Sequence, residues 1–460
     1  MPLNSQFLSH LEHLFAPEDR IIEASLCWSY GYDNSRLHAQ PDAVVFARSH
    51  QQIAALVKLC RQYQIPIISR GAGTGTTGAT VPDQGGIILS FERMSQILHI
   101  DPANRLISCQ PGVTNQTIQQ AAAEYNFFWA PDPTSSAVCT VGGNLAYNSA
   151  GPRAVKYGTT RDSVLELTLI TGTGETLHTG VKTTKGVVGY DLTRLLIGSE
   201  GTLGIITQAT LKLTPISEDK RTLQITYNSI HSAAQAVSDI MAQPVIPCAL
   251  EFIDKHAIDM IRDYSSANLP ENAGAMLMVE LDGSKSALDN ELQAIITAAK
   301  NKGCLAVNIA QSQEEVAALW QTRKALSPAL RKIAPKKINE DVVVPVSKIP
   351  QLIEGLDQLS KKYAIPIVNF GHAGNGNIHV NLLTDPDDSR LLAQAENCLQ
   401  EVFQLVLELE GTLSGEHGIG LVKRDYVAKE LDAVSLAYMK SIKQVFDPDN
   451  ILNPGKSFPV

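Results

Sequence analysis

IPIISRGAGTGTTGATVPDQGG, residues 65–86, is the stretch on which the fold turns. It opens with a short apolar run, 65–69, that reads as a buried strand. The glycine cluster 70–78 follows at once, and Gly73-Thr-Gly75-Thr-Thr-Gly78 has the GxGxxG spacing of a dinucleotide-binding turn. That turn requires a helix to begin at the motif, because the pyrophosphate sits on the helix N-terminus. Here the chain continues Ala79-Thr-Val-Pro82-Asp-Gln-Gly85-Gly86, and proline with paired glycines stops a helix. The cluster is therefore expected to form a backbone nest whose amides cradle a phosphate without a helix dipole. A tight turn with no ligand is the plain alternative, but four glycines and three threonines exceed what one turn needs.

Upstream, 42–48 reads as a strand, and 51–63 has apolar residues at helical spacing (Ile53, Leu56, Val57, Cys60), so the chain opens β-α-β. Phe7, Leu8, Leu11, Leu14 and Phe15 predict an N-terminal helix stopped before Pro17. That segment has no basic start, long apolar run or cleavage site, so it does not read as a signal peptide. Downstream, strands are expected at 86–91, 106–109, 165–171 and 203–213, and a helix at 115–125. The polar, glycine-rich 131–158 reads as a binding loop. Pro215 and the charged run 218–221 mark a boundary. Beyond it, strands at 224–227, 249–253, 275–281 and 304–309 alternate with helices at 230–241, 286–300 and 313–330, the pattern of an α+β domain.

The chain has 460 residues, enough for two or three domains, and a net charge of −9, which argues against nucleic acid or anionic lipid as partner. No stretch reaches the 18 or so apolar residues of a membrane span. The seven cysteines include no CxxC pair, which fits reduced thiols in the cytoplasm.

The segment 367–383 carries His372 and His379 around Asn375-Gly376. An odd spacing of seven would split the histidines between the two faces of one strand, but Asn-Gly between apolar runs signals a hairpin, which can bring both imidazoles to one side. Ser414-Gly-Glu416-His417-Gly adds a carboxylate and a third imidazole between glycines. Two histidines and one carboxylate leave coordination positions open, as in a catalytic rather than a structural metal site. Hydrogen-bonded core histidines are the alternative. The zinc-protease pattern HExxH is absent.

Two more glycine-hydroxyl segments fit a large dinucleotide: 131–148, with Thr140-Val-Gly-Gly-Asn144, and Gly198-Ser-Glu-Gly-Thr-Leu-Gly-Ile205. With RGAGTGTTG (70–78), VGGNLAYNSAGPRAVKYG (141–158), GSEGTLGI (198–205) and Asn453-Pro-Gly-Lys456, the chain resembles the vanillyl-alcohol-oxidase and p-cresol-methylhydroxylase flavoprotein superfamily. Within it, the resemblance is to the D-lactate dehydrogenase, glycolate oxidase large-subunit and D-2-hydroxyglutarate dehydrogenase branch. It implies an α+β protein, with a two-subdomain FAD-binding domain and a cap domain built on a helix-covered antiparallel sheet. The expected layout is an N-terminal helical segment 1–37, the FAD domain 38–216, the cap 217–425 and a tail 426–460 returning to the FAD domain. The implied FAD contacts are Arg70, Gly71, Gly73, Thr74, Gly75 and Gly78 in the first loop. Pro131, Asp132, Ser136, Gly142, Gly143, Asn148 and Gly151 follow in the second, then Glu200, Gly201 and Ile205, and Asn453 at the tail. The first loop has no histidine to bond the flavin, so the FAD is expected to be noncovalent.

HAGNGNIH (372–379) and GEHGIG (415–420) resemble the family's metal motifs. They imply His372, His379 and Glu416 as ligands of a divalent cation, with Asn381 a nearby polar contact and His417 the base. Zinc, iron(II) and manganese all suit such donors. A metal lowers the pKa of bound water from about 15.7 to about 7, and a similar gain for a substrate hydroxyl would be on the order of 11 kcal/mol. Arg323, with Ser327 four residues on, resembles the family's carboxylate-binding pattern, and arginine grips carboxylates bidentately. Dicarboxylate-specific members carry a lysine where this chain has Asn339, although Lys336 and Lys337 lie close by.

The expected reaction is oxidation of a small D-2-hydroxy acid, D-lactate first, with glycolate or D-2-hydroxyglutarate as alternatives. Electrons would pass to a quinone, a cytochrome or an electron-transfer flavoprotein. A cytoplasmic protein, at most peripheral at the inner face of the membrane and able to be a homodimer, fits this reading. A flavin enzyme for another alcohol, a noncatalytic flavin-binding subunit and a flavin-free metal-binding protein are the competing classes.

Overall fold

The computed structural model describes residues 3–262, 271–333, 336–385 and 387–459. The chain forms two compact units. The first holds Met1–Ala150, Gly158–Ile216 and Glu416–Val460, and the second Gly151–Tyr157 and Ser217–Gly415.

In the first unit, β1 (Arg20–Ile21), β2 (Ala43–Phe46), β3 (Ile67–Arg70) and β4 (Ile87–Ser90) form a sheet in the order β1-β2-β4-β3, with β2 and β3 each parallel to β4. The crossover between β2 and β3 is the helix His50–Tyr63. Ser49 caps it by accepting the Gln52 N–H, and Gln64 ends it in the left-handed conformation. Its buried stripe Ile53, Leu56, Val57 and Cys60 joins Val45, Ile67 and Ile87 in one core. The N-terminal helix Ser5–Leu14 adds Phe7 and Leu11 to that core, so it is an integral part of the unit.

A second, all-antiparallel sheet contains β5 (Ile97–Asp101), β6 (Leu106–Cys109), β8 (Val164–Ile170), β9 (Thr176–Gly180) and β10 (Ile205–Lys212), in the order β5-β6-β10-β8-β9; β7 (Phe127–Phe128) pairs instead with β11 (Thr214–Pro215). β5 and β9 are its two edges. They escape a reading by apolar runs because their residues are mostly half-buried or exposed. The stretch 131–158, expected as loop, contains the helix Val141–Tyr147. Thr140 accepts the Gly143 N–H to cap it, and Val141 and Leu145 are buried in the core. Ile451 and Leu452 run beside β3: the Ile67 N–H donates to Ile451 O at 2.8 Å, and the Asn453 N–H to Ile67 O at 2.8 Å.

The second unit is built on seven strands, β12 (Asp219–Tyr227), β13 (Ala249–Asp254), β14 (Ala275–Gly283), β15 (Cys304–Ile309), β16 (Lys336–Val343), β17 (Ile367–Gly371) and β18 (Asn377–Thr384). Their order is β15-β12-β14-β13-β17-β18-β16, every pair antiparallel. The helices Ile230–Ala242, Lys285–Ala299, Ile349–Tyr363 and Ser389–Glu408 pack with this sheet. Against the face that shows Ile253, Met276, Val368 and Phe370, the helices Lys255–Ile261 and Gln313–Ile333 bury Ala257, Ile258, Ile261, Leu326 and Leu330. The main segment of the second unit opens at Ser217, beside the expected boundary, and Asp219 to Arg221 already belong to β12. The segment 151–157 joins this unit because Lys156 Nζ and Tyr157 OH both donate to the Asp282 carboxylate at 2.6 Å. The chain re-enters the first unit at Glu416, earlier than 426, because the N–H groups of Ile419 and Leu421 are already bonded to Glu200 and Thr77. Among the described residues no helix is long and apolar enough to cross a membrane.

Candidate active site

In the first unit no helix follows the glycine cluster; the next element is β4. A cavity is lined by Arg70, Gly71, Gly142, Gly143, Glu200 and Gly201, which brings three glycine segments of the sequence together. Gly73 and Thr74 line a neighbouring open cavity with Trp28, Tyr32 and Asp33. Gly73 has φ +67°, and a Cβ there would stand 2.4 Å from Arg70 Nη2, so a side chain is excluded twice over. Arg70 is buried, donates to Tyr32 O and lies over the Tyr30 and Tyr32 rings. Gly75 fits beneath the Tyr147 hydroxyl, and Gly78 beside Leu37 and Leu421. Tyr147 and Thr76 each bury a hydroxyl with no hydrogen-bond partner among the described residues. Tyr147 lines the cavity, so a ligand's polar atom would satisfy a group that the protein leaves unmet. Glycine walls and orphan hydroxyls suit a dinucleotide cofactor.

Several expected cofactor residues are engaged with the protein itself. The Glu200 carboxylate accepts the N–H of Ile419 at 2.6 Å, that of Gly420 at 2.9 Å and the Ser457 hydroxyl at 2.7 Å. Burial pushes this carboxyl up, against those three bonds. Asn453 Nδ2 donates to Ala79 O and Glu200 O. Pro131 O accepts from Asn115 Nδ2, Ser136 O from the Gln116 N–H, and Asn148 Oδ1 from the Arg161 N–H. Asp132 continues the Pro131 loop, and Ile205 is buried at the start of β10. Gly151 falls in the second unit.

In the second unit β17 and β18 form the expected hairpin, with Phe370 opposite His379. The connection is five residues long, 372–376, closing through Gly376 at φ +76°. The two imidazoles meet edge to face, ring centroids 5.3 Å apart. His379 in turn faces Asp341 across the β18–β16 ladder. Asp341 is fully buried. Its carboxylate accepts the Gly415 N–H at 2.9 Å and the Ser414 hydroxyl at 3.1 Å, and its carbonyl accepts the Gly415 N–H as well. Glu416 is one peptide bond further on, so this anchor fixes where it starts. His372, His379 and Glu416 each offer a ligand atom, and the three atoms lie within 4.8 Å of one another. Two nitrogens and a carboxylate oxygen at that spacing suit a divalent cation with open positions. His417 follows; its carbonyl accepts the Thr77 hydroxyl at 3.2 Å within the first unit.

Glu251 is a residue that spacing arguments pass over. It stands in the buried strand β13 with 0% exposure. One carboxylate oxygen lies 2.7 Å from His372 Nδ1, and the other accepts from Arg323 Nε at 2.5 Å. Burial alone would raise its carboxyl, but His372 and Arg323 outweigh it and hold the group below the usual carboxylate range. The Glu251 contact at Nδ1 fixes the orientation of the His372 ring. Arg323 is accordingly buried, its guanidinium 5.1 Å from the Phe370 ring centroid. A charged residue inside the apolar run Ala249-Leu-Glu-Phe-Ile253 was the signal available in the sequence.

Asn381 is fully buried; Nδ2 donates to Val368 O and His379 O at 3.1 Å, and Oδ1 accepts from Asn339 at 2.5 Å. Both its N–H bonds are spent on the hairpin, so it braces His379. Asn339 therefore has a partner of its own. Lys337 and Lys336 pair with Leu383 and Thr384, further along β16. Ser327 is in the helix Gln313–Ile333, its side chain outside the described residues.

The family description "FAD binding domain" matches residues 41–180, and "FAD linked oxidases, C-terminal domain" matches 216–457. The glycolate oxidase subunit GlcD of Bacillus subtilis is 41% identical, covering 93% of this chain and 92% of its own. The D-lactate dehydrogenase of Anaerostipes hadrus is 34% identical over 96% of this chain and 95% of its own. In fold, p-cresol methylhydroxylase superposes with a TM-score of 0.81 at 17% identity, over 98% of this chain and 96% of that one.

Proposed function

The chain belongs to the FAD-linked oxidases, and from that premise we propose that it oxidises a small 2-hydroxy monocarboxylate, D-lactate first, to the 2-oxo acid. When bound, noncovalent FAD supplies the hydride acceptor and a divalent cation supplies the charge that acidifies the substrate hydroxyl. His372, His379 and Glu416 would hold the cation. Arg323 binds the substrate carboxylate through its two Nη groups, Nε being engaged by Glu251. His417, next to Glu416, takes the hydroxyl proton. The observation that carries the reading is the shared buried carboxylate of Glu251. It sets a cation ligand and a carboxylate-binding guanidinium at a fixed separation, and an α-hydroxy acid presents its hydroxyl and carboxylate on adjacent carbons.

The Asn339–Asn381 pair supports a monocarboxylate over a dicarboxylate, since no lysine stands there to take a second charge. Glycolate is the second reading, favoured by the 41% identity to a glycolate oxidase subunit. Electrons would leave to a quinone, a cytochrome or an electron-transfer flavoprotein, from a cytoplasmic protein without a membrane span.

The test is the anaerobic visible spectrum of the protein titrated with D-lactate, L-lactate, glycolate and D-2-hydroxyglutarate, before and after chelation. Bleaching by D-lactate that is lost with chelator and restored by zinc or manganese is expected. A flavin spectrum untouched by every acid overturns the proposal.

A further inference from the structure

Burying a carboxylate is costly unless it is paired, and Glu251 is buried completely while both its oxygens are committed to different partners. Its neighbours explain the arrangement. Phe252 pairs with Gly371 across β13–β17, which sets Glu251 beside the start of the 372–376 connection. On its other side lies the helix Gln313–Ile333, which a second buried carboxylate also holds: Trp320 Nε1 donates to Glu280 at 3.0 Å. Trp320 and Arg323 are one turn apart, so the helix docks on two carboxylates of adjacent strands, β14 and β13.

We propose that Glu251 is the positioning residue of this site: one carboxylate oxygen orients His372 as a cation ligand, and the other fixes Arg323 for the substrate carboxylate. The inference rests on the reading above and deepens it. Glu251 touches neither cation nor substrate. It acts through two residues that do, so its loss should weaken two separate binding events at once. An amide cannot replace it, because glutamine has one acceptor oxygen for two donors.

The test uses the flavin-loaded protein and two calorimetric titrations: zinc into chelator-treated protein, and propionate into the cation-free protein, where the carboxylate arm is read alone. Glu251→Gln should weaken zinc 10- to 100-fold and propionate about tenfold, with flavin content unchanged. Glu251→Asp keeps the charge but is one methylene shorter, and should recover one affinity and not both. Should Glu251→Gln fold poorly, by melting temperature and flavin content, Glu251→Asp decides. A Glu251→Gln variant that binds zinc as the wild type does, or a Glu251→Asp variant that binds both zinc and propionate as the wild type does, overturns the proposal. A wild type that binds no zinc overturns the metal reading together with the ligand half of this one, and the propionate titration then judges the other half.

Discussion

Gly376→Ala probes the link between turn geometry and the histidine pair. Gly376 has φ +76°, and a Cβ built there stands 1.8 Å from Val344 O, whereas real Cβ contacts essentially never fall below 3.0 Å. The backbone must therefore move by more than 1 Å or leave the left-handed region. The left-handed strain is worth about 1–2 kcal/mol, and the overpacking about 1–3 kcal/mol. Their sum, about 2–5 kcal/mol, does not exceed the low end of the roughly 5–15 kcal/mol of a typical fold, so the unit is expected to fold with its turn displaced. The displacement falls between His372 and His379, three residues before the latter, whereas ligand distances tolerate about 0.2 Å. Zinc or manganese affinity should drop about 100-fold or more, which is roughly 2.8 kcal/mol. Metal content by mass spectrometry and flavin content by absorbance read the outcome. Retained flavin with lost metal is expected; a variant that keeps wild-type metal affinity refutes the argument that the Gly376 turn sets the pair.

Asp341→Asn leaves the Gly415 N–H facing a weaker acceptor, and charge-assisted bonds are worth about 1.5–3 kcal/mol; metal affinity should fall about tenfold, by titration, with Glu416 untouched. Tyr147→Phe removes a buried hydroxyl that has no partner, so the melting temperature of the flavin-free protein should hold or rise while FAD binds more weakly, read by fluorescence quenching. Burial pushes Asp254 up to about 6. The folded state then binds its proton more tightly than the unfolded chain, so this contribution to stability is present in acid and is lost as pH rises from about 4 through 6. Urea midpoints across that range should fall for the wild type relative to Asp254→Asn, and parallel curves would refute the assignment.

The features legible in advance were those with a local cause. Asn375-Gly376 announced the hairpin, and Pro82 with Gly85-Gly86 excluded a helix after the glycine cluster, as the structure bears out. The helix Val141–Tyr147 was hidden by its two glycines, since the Thr140 cap and the packing of Val141 and Leu145 decide it. Edge strands β5 and β9 lack the apolar runs that mark buried strands. Glu251 and Asp341 do their work across strand ladders, and register between distant segments is not written in either one alone. The same holds for Asn381, whose amide turned out to be spent on β17, β18 and Asn339.

The strand-like run at Ile451 and Leu452 has a bearing on synthesis. It pairs with Ile67 and contributes two buried side chains to the core around β3. A ribosome therefore has to release residue 453 before the first unit can close the core it began near residue 7, and all of 217–415 emerges in between. The second unit's segment 217–415 can fold on its own schedule during that interval, while an unfinished core waits with Ile67 and Ile87 uncovered on one side. Shortening the protein before residue 451 should show up as aggregation during expression, well before any assay of the flavin.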